Sequence, residues 1–296
     1  MNIFVTGGTG FIGSHIVEAL AISGYNVSAL YRSAKKIPAG LSGYKNIHWV
    51  KGDYTRFSEW AGKLKDQNVI INATGIIKET SRSKFSLVHT NVPLQLFLAA
   101  EDLGIKRVIQ ISAAGVNGKL HLPYFLTKMA ADNCLIESTL RYTIFRPSLV
   151  YSNRSASMQT FLNLLKLPLV PVIGFGEYLF QPVYVRDLAD AVVKSLLLPK
   201  AERKIIEIGG PEILSYNQIL DLLVENLGLK KHKRVYLPVS MARFFINWFQ
   251  HLPGFPITKD QLTMLLEGSI VDTTGYKSLL NLPQKTFAQA IRENSL

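Results

Sequence analysis

The sequence predicts an α/β protein in which a doubly wound parallel sheet is joined to a smaller, mostly helical C-terminal domain. In the first half of the 296 residues, short β-branched runs alternate with longer amphipathic stretches. A glycine-rich turn follows the first of these runs directly. Strands that alternate with helices form parallel sheets with crossover helices, so this rhythm indicates a doubly wound sheet.

The expected elements follow in chain order. The first half should contain strands at 2–6, 26–31, 47–51, 69–72, 107–111 and 142–146, and helices at 11–23, 56–65, 84–103 and 123–138. After Arg146-Pro147 the alternation loosens, and helices are expected at 187–198, 215–227, 239–250, 258–267 and 286–294. We therefore predict a first domain at 1–150 and a smaller one at 151–296. Residues 181–200, a strand leading to a helix capped by Asp187, should pack back on the first domain.

Composition limits the function classes. With 48% hydrophobic residues the chain can form a core, and its single cysteine, Cys134, excludes a disulfide framework and a cysteine-rich metal site. No metal site is expected, and the absence of a signal-peptide pattern favours a cytoplasmic, reducing location. The net charge of +12 favours anionic partners. We do not expect nucleic acid among them, because the basic residues are scattered and no recognised motif is present.

The strongest motif is the run Thr6-Gly7-Gly8-Thr9-Gly10-Phe11-Ile12-Gly13, which lies between the first strand and the first helix. Gly7 and Gly10 permit a tight turn and close approach of the backbone to a phosphate, while Gly13 lets the helix pack on the strand. Amides at the start of the helix face the anion. This context predicts a Rossmann-type dinucleotide-binding domain, with all eight residues as cofactor contacts.

The second strand indicates which dinucleotide is bound. A free ribose 2′-hydroxyl is normally held by a carboxylate about 20 residues after the glycines, but no acidic residue lies between Glu18 and Asp53. Arg32, Ser33 and Lys36 follow the strand instead and could hold a 2′-phosphate. We therefore expect NADP(H) in preference to NAD(H), the alternative being that these residues form an ordinary solvated basic loop.

Several further segments form a recognisable set together with the phosphate loop: Gly52-Asp53, Asn72-Ala73-Thr74-Gly75, Ile111-Ser112-Ala113-Ala114, Tyr124-x-x-x-Lys128 and Arg146-Pro147-Ser148. Together they resemble the short-chain dehydrogenase/reductase superfamily, in its extended or atypical branch of epimerase/dehydratase-like proteins. Within it, Arg146-Pro147, Gln181–Asp187 and Gly209-Gly210-Pro211 are most similar to the atypical group that contains the NADPH-binding accessory subunit of respiratory complex I.

The resemblance implies a set of site residues. Ser112 would orient the substrate oxygen, Tyr124 would exchange the proton, and Lys128 would lower the pKa of the tyrosine and hold the nicotinamide ribose. Asp53 would contact the adenine. The further cofactor contacts implied are Tyr54, Ala73, Thr74, Gly75, Asn91, Tyr124, Lys128 and Pro147.

Position in the fold supports this tyrosine. The spacing Tyr-x-x-x-Lys occurs twice, at Tyr31/Lys35 and at Tyr124/Lys128. Tyr31 follows the second strand, at the adenosine end, whereas Tyr124 lies on a helix after the fifth strand, which Ser112 ends. Reduction of a ketone by hydride leaves an alkoxide that needs a proton, and a tyrosine with a pKa near 10 requires an adjacent cation to serve at neutral pH.

Three functions follow from these residues. The leading hypothesis is an NADP(H)-dependent oxidoreductase acting on a carbonyl or alcohol of a small molecule. One alternative is a non-catalytic protein, related to respiratory complex I subunits, that binds NADPH as a structural or redox-sensing ligand. A further alternative is a sugar-nucleotide epimerase or dehydratase, which usually cycles NAD.

Residues 230–250 form a separate feature. The basic run Lys230-Lys231-His232-Lys233-Arg234 precedes a helical stretch, Val239–Gln250, whose polar residues fall only at 240, 243, 247 and 250. The apolar windows 160–176 and 239–257 are both interrupted by charged residues and prolines, so neither should span a bilayer. The alternatives are peripheral contact with an anionic membrane, contact with a partner such as a respiratory complex, and a helix buried over the substrate pocket.

Overall fold

The computed structural model describes residues 1–153, 155–230, 233–250 and 257–293. The chain divides into two compact units. The first comprises Met1–Pro147, Val185–Ile208 and Thr273–Leu282. The second comprises Ser148–Tyr184, the described part of Gly209–Asp272, and the described residues from Pro283 onward.

The elements are numbered in chain order. From the N-terminus to Pro147 they are β1 (Asn2–Thr6), α1 (Phe11–Ile22), β2 (Asn26–Tyr31), β3 (Ile47–Lys51), β4 (Val69–Asn72), α2 (Val92–Asp102), β5 (Arg107–Ile111), α3 (Pro123–Glu137) and β6 (Arg141–Pro147). The rest are β7 (Val150–Tyr151), α4 (Ala156–Leu164), β8 (Leu169–Ile173), β9 (Leu179–Phe180), β10 (Val183–Tyr184), α5 (Val185–Leu196), β11 (Lys204–Ile208), β12 (Leu214–Ser215), α6 (Tyr216–Asn226), β13 (Lys233–Leu237), α7 (Val239–Phe249), α8 (Lys259–Glu267), α9 (Thr274–Leu279) and α10 (Phe287–Glu293).

The first unit is built on a seven-stranded sheet in the order β11-β6-β5-β4-β1-β2-β3. Every neighbouring pair of these strands is parallel. The chain moves outward from β1 to β3 and then returns to β4 on the other side of β1, so the topological switch point lies between β1 and β4. Ligands of open α/β sheets bind at this point, beyond the carboxyl ends of the strands. The predicted doubly wound parallel fold is confirmed.

Two of the predicted helices differ in the structure. Residues 56–65 form two short 3₁₀ turns, Phe57–Glu59 and Ala61–Leu64, rather than a helix. Trp60, between them, is fully buried, and its ring stacks on Phe4 at a centroid distance of 5.7 Å. Burying this large ring fixes the chain more strongly than weak helix propensity does.

The predicted helix at 84–103 begins with a π-helical turn, Ser86–Asn91, that continues directly into α2. Pro93 lies at the junction and has no amide hydrogen to give to the preceding turn, which favours a local departure from α-helical bonding. The turn directs His89 into the buried interior.

The second unit contains short strand pairs, of which the sequence pattern indicated only the strand that precedes α5. In the part of the chain that is described, β7 pairs with β10 and β8 with β13 in parallel, and β9 pairs with β12 antiparallel. The helices of this unit are α4, α6, α7, α8 and α10. Two-residue strands such as β7 and β9 are too short to carry a periodic signal, so propensity alone could not find them.

The segment after β10 differs from expectation in one detail. Helix α5 begins at Val185, so Asp187 lies inside its first turn, where it is buried, and the expected capping role is wrong. A carboxylate in the first turn still interacts favourably with the positive end of the helix dipole. Helix α5 belongs to the first unit and packs against α1.

Candidate functional site

The loop between β1 and α1 has the geometry of a phosphate-binding turn. The amide of Gly10 donates to the carbonyl of Gly7 over 2.8 Å, and Gly7 has a φ of 68°, in the left-handed region. A Cβ on Gly13 would lie 2.1 Å from the carbonyl oxygen of Gly7, so only glycine fits there. Because α1 begins without a side-chain cap at Gly10, its first amides remain available to an anion.

A buried polar network holds the strand ends beneath this loop. Both Thr6 and Tyr54 donate their hydroxyl hydrogens to Oδ1 of Asn72, over 2.6 Å and 3.1 Å. The amide of Asn72 donates in turn to Oε1 of Gln110 over 2.8 Å. The network ties β1, β4 and β5 together at the switch point. It also engages the hydroxyl hydrogens of Thr6 and Tyr54 within the protein, and burial raises the pKa of Tyr54.

The loop after β4 contacts the phosphate loop closely. A Cβ on Gly7 would lie 2.9 Å from the carbonyl oxygen of Ala73 and 3.0 Å from Oγ1 of Thr74. Among the described residues, this buried Thr74 hydroxyl has no hydrogen-bond partner. An unsatisfied buried hydroxyl is costly, so a polar group of a bound ligand would stabilise it. The residues therefore fit a dinucleotide.

The adenosine end corrects one premise drawn from the sequence. No acidic residue lies between Glu18 and Asp53 along the chain, yet β2 and β3 are neighbours, and Oδ2 of Asp53 lies 3.9 Å from Nη1 of Arg32. Oδ1 of Asp53 accepts from the amide and hydroxyl of Thr55. Burial raises the pKa of Asp53, but these hydrogen bonds and the charge of Arg32 bring it below its ordinary value.

The guanidinium of Arg32 nevertheless stays open to an anion, because its side chain is 59% exposed and its five N–H donors exceed what one distant carboxylate uses. Ser33 follows it, and Lys36 is exposed at the end of the short turn Ala34–Lys36. The predicted 2′-phosphate contacts thus lie together at the end of β2.

The predicted reacting residues also come together at the carboxyl edge of the sheet. Ser112 directly follows β5, while Tyr124 and Lys128 lie one turn apart on α3. Nζ of Lys128 is 5.7 Å from the centroid of the Tyr124 ring and donates to the carbonyl of Ile111 over 3.2 Å. A Cβ on Gly75 would lie 3.6 Å from the same Nζ, so the lysine faces the loop after β4.

Burial sets the pKa values of this pair. It lowers the pKa of Lys128 to about 8, against the opposing charge of Asp132. It raises the pKa of the Tyr124 phenol. In the ligand-free protein, therefore, the tyrosine is protonated at neutral pH and the lysine is mostly charged.

Asp132 and Arg146 belong to the site, although neither was predicted as part of it. Ser112 donates its hydroxyl hydrogen to Oδ2 of Asp132 over 2.8 Å, and Nη2 of Arg146 contacts the same oxygen at 3.0 Å. Asp132 is completely buried, and among the described residues its Oδ1 has no hydrogen-bond partner. Burial raises the pKa of Asp132, while Arg146 opposes this rise most strongly. A signal existed, since Asp132 follows Lys128 by four residues on one helix face.

His89 is a further residue that sequence reasoning missed. Its Nε2 accepts the amide hydrogen of Ile76 over 3.1 Å, so Nδ1 carries the proton and donates to Oγ1 of Thr127. Its ring contacts that of Tyr124 edge-on, with centroids 5.4 Å apart. Burial and the nearby Lys128 charge lower its pKa to about 3, so the imidazole is neutral. A lone histidine in a helical pattern gave no sign of this role.

The remaining predicted contacts, Asn91 and Pro147, lie at the ends of secondary-structure elements. Asn91 is exposed at the end of the π-helical turn. Pro147 is buried at the end of β6, where its carbonyl accepts the amide hydrogen of Ala114 over 2.8 Å. Within the described residues, no group of three His, Cys, Asp or Glu side chains could hold a metal ion.

Fold, phosphate loop and switch point together define a dinucleotide-binding protein of the Rossmann class. More narrowly, the chain belongs to the NAD dependent epimerase/dehydratase family, whose model matches residues 3–209. The resemblance expected from the sequence motifs is thereby confirmed.

Similar sequences include a subunit of NADH dehydrogenase and a photosystem II assembly factor. The chain is 28% identical over 245 residues to subunit 9 of the NADH dehydrogenase [ubiquinone] 1 alpha subcomplex of Arabidopsis thaliana, covering 81% of this chain and 61% of that protein. The chain thus spans about three fifths of this relative's length. It is also 26% identical over 263 residues to the photosystem II assembly factor Ycf39 of Guillardia theta, covering 86% of this chain and 78% of the factor.

Solved structures with the same fold include sugar-nucleotide enzymes. The UDP-glucuronic acid 4-epimerase of Bacillus cereus in complex with NAD superimposes with a TM-score of 0.78 at 21% identity, covering 100% of this chain and 97% of the epimerase. This likeness supports the fold.

Proposed function

We propose that the protein is an NADP(H)-dependent oxidoreductase acting on a carbonyl or alcohol of a small molecule, with Tyr124 as the proton donor. The observation that carries the proposal is the position of Tyr124 and Lys128, one helical turn apart at the sheet edge that also bears the phosphate loop. When bound, the nicotinamide would supply or accept the hydride.

The residues that would hold the cofactor are distributed along this edge. The amides of Gly7–Gly13 would hold the pyrophosphate, Arg32 and Lys36 would hold the 2′-phosphate, and the unpartnered Thr74 hydroxyl would bond another polar group of the cofactor. The charged ammonium of Lys128 has hydrogens beyond the one it donates to Ile111, and these would be available to a ribose hydroxyl.

The roles of the chain's own residues follow from their protonation. Tyr124 holds its proton at neutral pH and gives it to the substrate oxygen, and the charge of Lys128 stabilises the phenolate that remains. Because Ser112 donates its hydrogen to Asp132, its oxygen is left to accept a hydrogen bond from a substrate hydroxyl. His89, being neutral, supports the Tyr124 ring by packing.

Cofactor preference is tested by calorimetric titration. We expect NADPH to bind at least about tenfold more tightly than NADH, a gap of about 1.4 kcal/mol. Arg32→Ala should remove the gap and Asp53→Asn should widen it, because Asp53 competes for the guanidinium. Arg56→Ala, which changes a nearby exposed arginine paired with Glu59, is the matched control. Equal affinities in the unmodified protein would refute the preference.

The proposed role of Tyr124 is tested by measuring NADPH oxidation in the presence of each member of a panel of small ketones, aldehydes and sugar nucleotides. Tyr124→Phe should abolish nearly all turnover while leaving NADPH affinity within a few-fold. Tyr31→Phe changes the other Tyr-x-x-x-Lys copy and should leave turnover near normal. If Tyr31→Phe were the damaging change, Tyr124 would not be the proton donor.

A second candidate is an NADPH-binding component of an assembly that does not turn the cofactor over. The inward hydrogen bond of Ser112 and the raised pKa of Tyr124 favour it, as do the respiratory-complex and photosystem names of the relatives. Tight NADPH binding with no oxidation of any panel member, and no effect of Tyr124→Phe on affinity, would select this candidate.

A further inference from the structure

Helix α7 of the second unit exposes its apolar side. Of its residues only Ala242 and Ile246 are buried, so the alternative of a helix buried over the substrate pocket is wrong. Trp248 is 71% exposed and Phe244 is 59% exposed. We call the exposed set the aromatic face; it consists of Met241, Phe244, Phe245, Trp248 and Phe249.

The helical spacing separates this face from the packed side. At about 100° per residue, Ala242 and Ile246 lie on the side that packs, while Phe244 and Trp248 lie roughly opposite. The polar strip of Ser240, Arg243 and Asn247 runs between the two sides. A helix on the surface of a soluble domain normally turns its polar side outward, whereas the outward side of α7 is apolar. An exposed apolar face of this kind marks a contact surface.

The charge around the aromatic face is entirely positive in sequence. No aspartate or glutamate lies between Glu225 and Asp260, whereas lysines and arginines occur throughout this stretch. Arg243 and Lys259 line a cleft of about 410 Å³ between α7 and α8. Neither forms an ion pair with any described residue.

We infer that the aromatic face of α7 inserts into the interfacial layer of an anionic lipid bilayer, with Arg243 and Lys259 facing the headgroup phosphates. An 11-residue helix is too short to cross a bilayer, but it can lie in the plane of the interface. Aromatic side chains suit that layer, and flanking cations are attracted to anionic lipid.

The same charges argue against a second copy as the occupant. Two α7 faces brought together would also bring together two stretches that carry only positive charge, and like charges across an interface are destabilising. Among the described residues, no helix is long and apolar enough to cross a membrane. The inference concerns a surface of the second unit and does not depend on turnover at the nucleotide site.

The test uses the full chain with vesicles of phosphatidylcholine alone or mixed with phosphatidylglycerol. We expect sedimentation with the mixed vesicles at low salt, release at high salt, and little binding to neutral vesicles. Brominated lipid should quench mainly the fluorescence of Trp248, since this tryptophan is exposed on α7 whereas Trp60 is buried and Trp49 is half-buried. Trp248→Phe should remove most of that quenching.

Paired variants separate insertion from simple attraction. Phe244→Ser with Trp248→Ser should weaken vesicle binding at least about tenfold. The control, Ile22→Ser with Leu98→Ser, removes comparably exposed apolar side chains from α1 and α2 and should change nothing. NADPH affinity, measured on every variant, reports that the fold is intact.

The charge variant is Arg243→Gln with Lys259→Gln, each expected to cost about fivefold in vesicle binding. Arg234 is left unchanged, because it pairs with Asp221. Lys231 and His232 lie outside the described residues, and so do residues 251–256.

Four outcomes would overturn the inference. A protein that stays in the supernatant at low salt would assign the face to a protein partner. Equal binding to neutral vesicles would remove the role of charge, and undiminished binding of the Phe244/Trp248 variant would remove insertion. If light scattering showed that the unmodified protein is a dimer and that the Phe244/Trp248 variant is a monomer, the face would be assigned to self-association.

Discussion

The buried charge of Lys128 should destabilise the ligand-free protein. Replacing Lys128 by methionine should show by how much, as a change in the free energy of unfolding. The side chain is only 5% exposed, and its ammonium donates to the carbonyl of Ile111. Methionine preserves most of the aliphatic stem without the charge. The proposed function assigns this lysine to the cofactor rather than to the fold, so Lys128→Met should raise the free energy of unfolding and weaken NADPH binding.

The size of the gain follows from the pKa. Burial lowers the pKa of Lys128 from 10.5 to about 8. At about 1.4 kcal/mol per pKa unit, the charged form is disfavoured by the fold by roughly 3 kcal/mol. Loss of the hydrogen bond to Ile111 and of the cation near Asp132 subtracts from this, so we expect a net gain of about 1–3 kcal/mol at pH 7.

The pH dependence identifies the cause. Below pH 8 the lysine is protonated in both the folded and the unfolded chain, so the cost is fully present. Between pH 8 and 10.5 the folded protein loses the proton first, and stability of the unmodified protein rises with pH. Urea unfolding at intervals from pH 7 to 10.5 should therefore show the gap to Lys128→Met closing as pH rises.

The control is Lys106→Met, which removes an exposed lysine just before β5 and should change stability little at any pH. If Lys128→Met destabilised the protein at pH 7, or if the gap stayed constant up to pH 10.5, burial of the ammonium would not be the cost we infer. NADPH titration of the same variant should show a loss of at least about tenfold.

Two further substitutions test the structural basis of the site. Gly13→Ala should reduce NADPH affinity at least about thirtyfold, because the new Cβ would force the phosphate loop to shift, whereas Gly62→Ala meets no atom within 4 Å and should bind normally in the same titration. Asp132→Ala should lower the free energy of unfolding by about 3–5 kcal/mol in urea, since it leaves a buried cation unpaired. Asp132→Asn, which keeps the shape but also removes the charge, should cost nearly as much, and a much smaller loss for asparagine would show that lost packing and not the unpaired cation is the cause.

The sheet could be predicted from the sequence because its signals are local. The runs at 2–6 and 69–72 are apolar, β-branched and bounded by turns, and they became β1 and β4 with the same bounds. The phosphate loop was equally accessible, because its glycines are adjacent in sequence and their purpose is steric. Where tertiary packing decided the outcome, as at Trp60, a helical pattern became two short turns.

Contacts across elements could not be predicted in the same way. Arg32 and Asp53 are separated along the chain and meet only because β2 and β3 are neighbours at that edge of the sheet. The ion pair of Asp132 with Arg146 joins a helix to a strand and depends on how α3 lies on β6. No periodicity in the sequence contains this information. The carboxylate of Asp53 therefore lies near Arg32 in space although it is distant from it in sequence.

The direction of one hydrogen bond bears most directly on whether the site performs catalysis. A serine that orients a carbonyl oxygen must donate its hydrogen to that oxygen, but the hydroxyl hydrogen of Ser112 goes to Asp132. Arg146 holds Asp132 in place, so the serine cannot turn without leaving a buried carboxylate short of a donor. The arrangement therefore suits a substrate that presents a hydroxyl to Ser112, or a site that only binds its cofactor. Reduction of a ketone would first require Asp132 to give up that hydrogen bond.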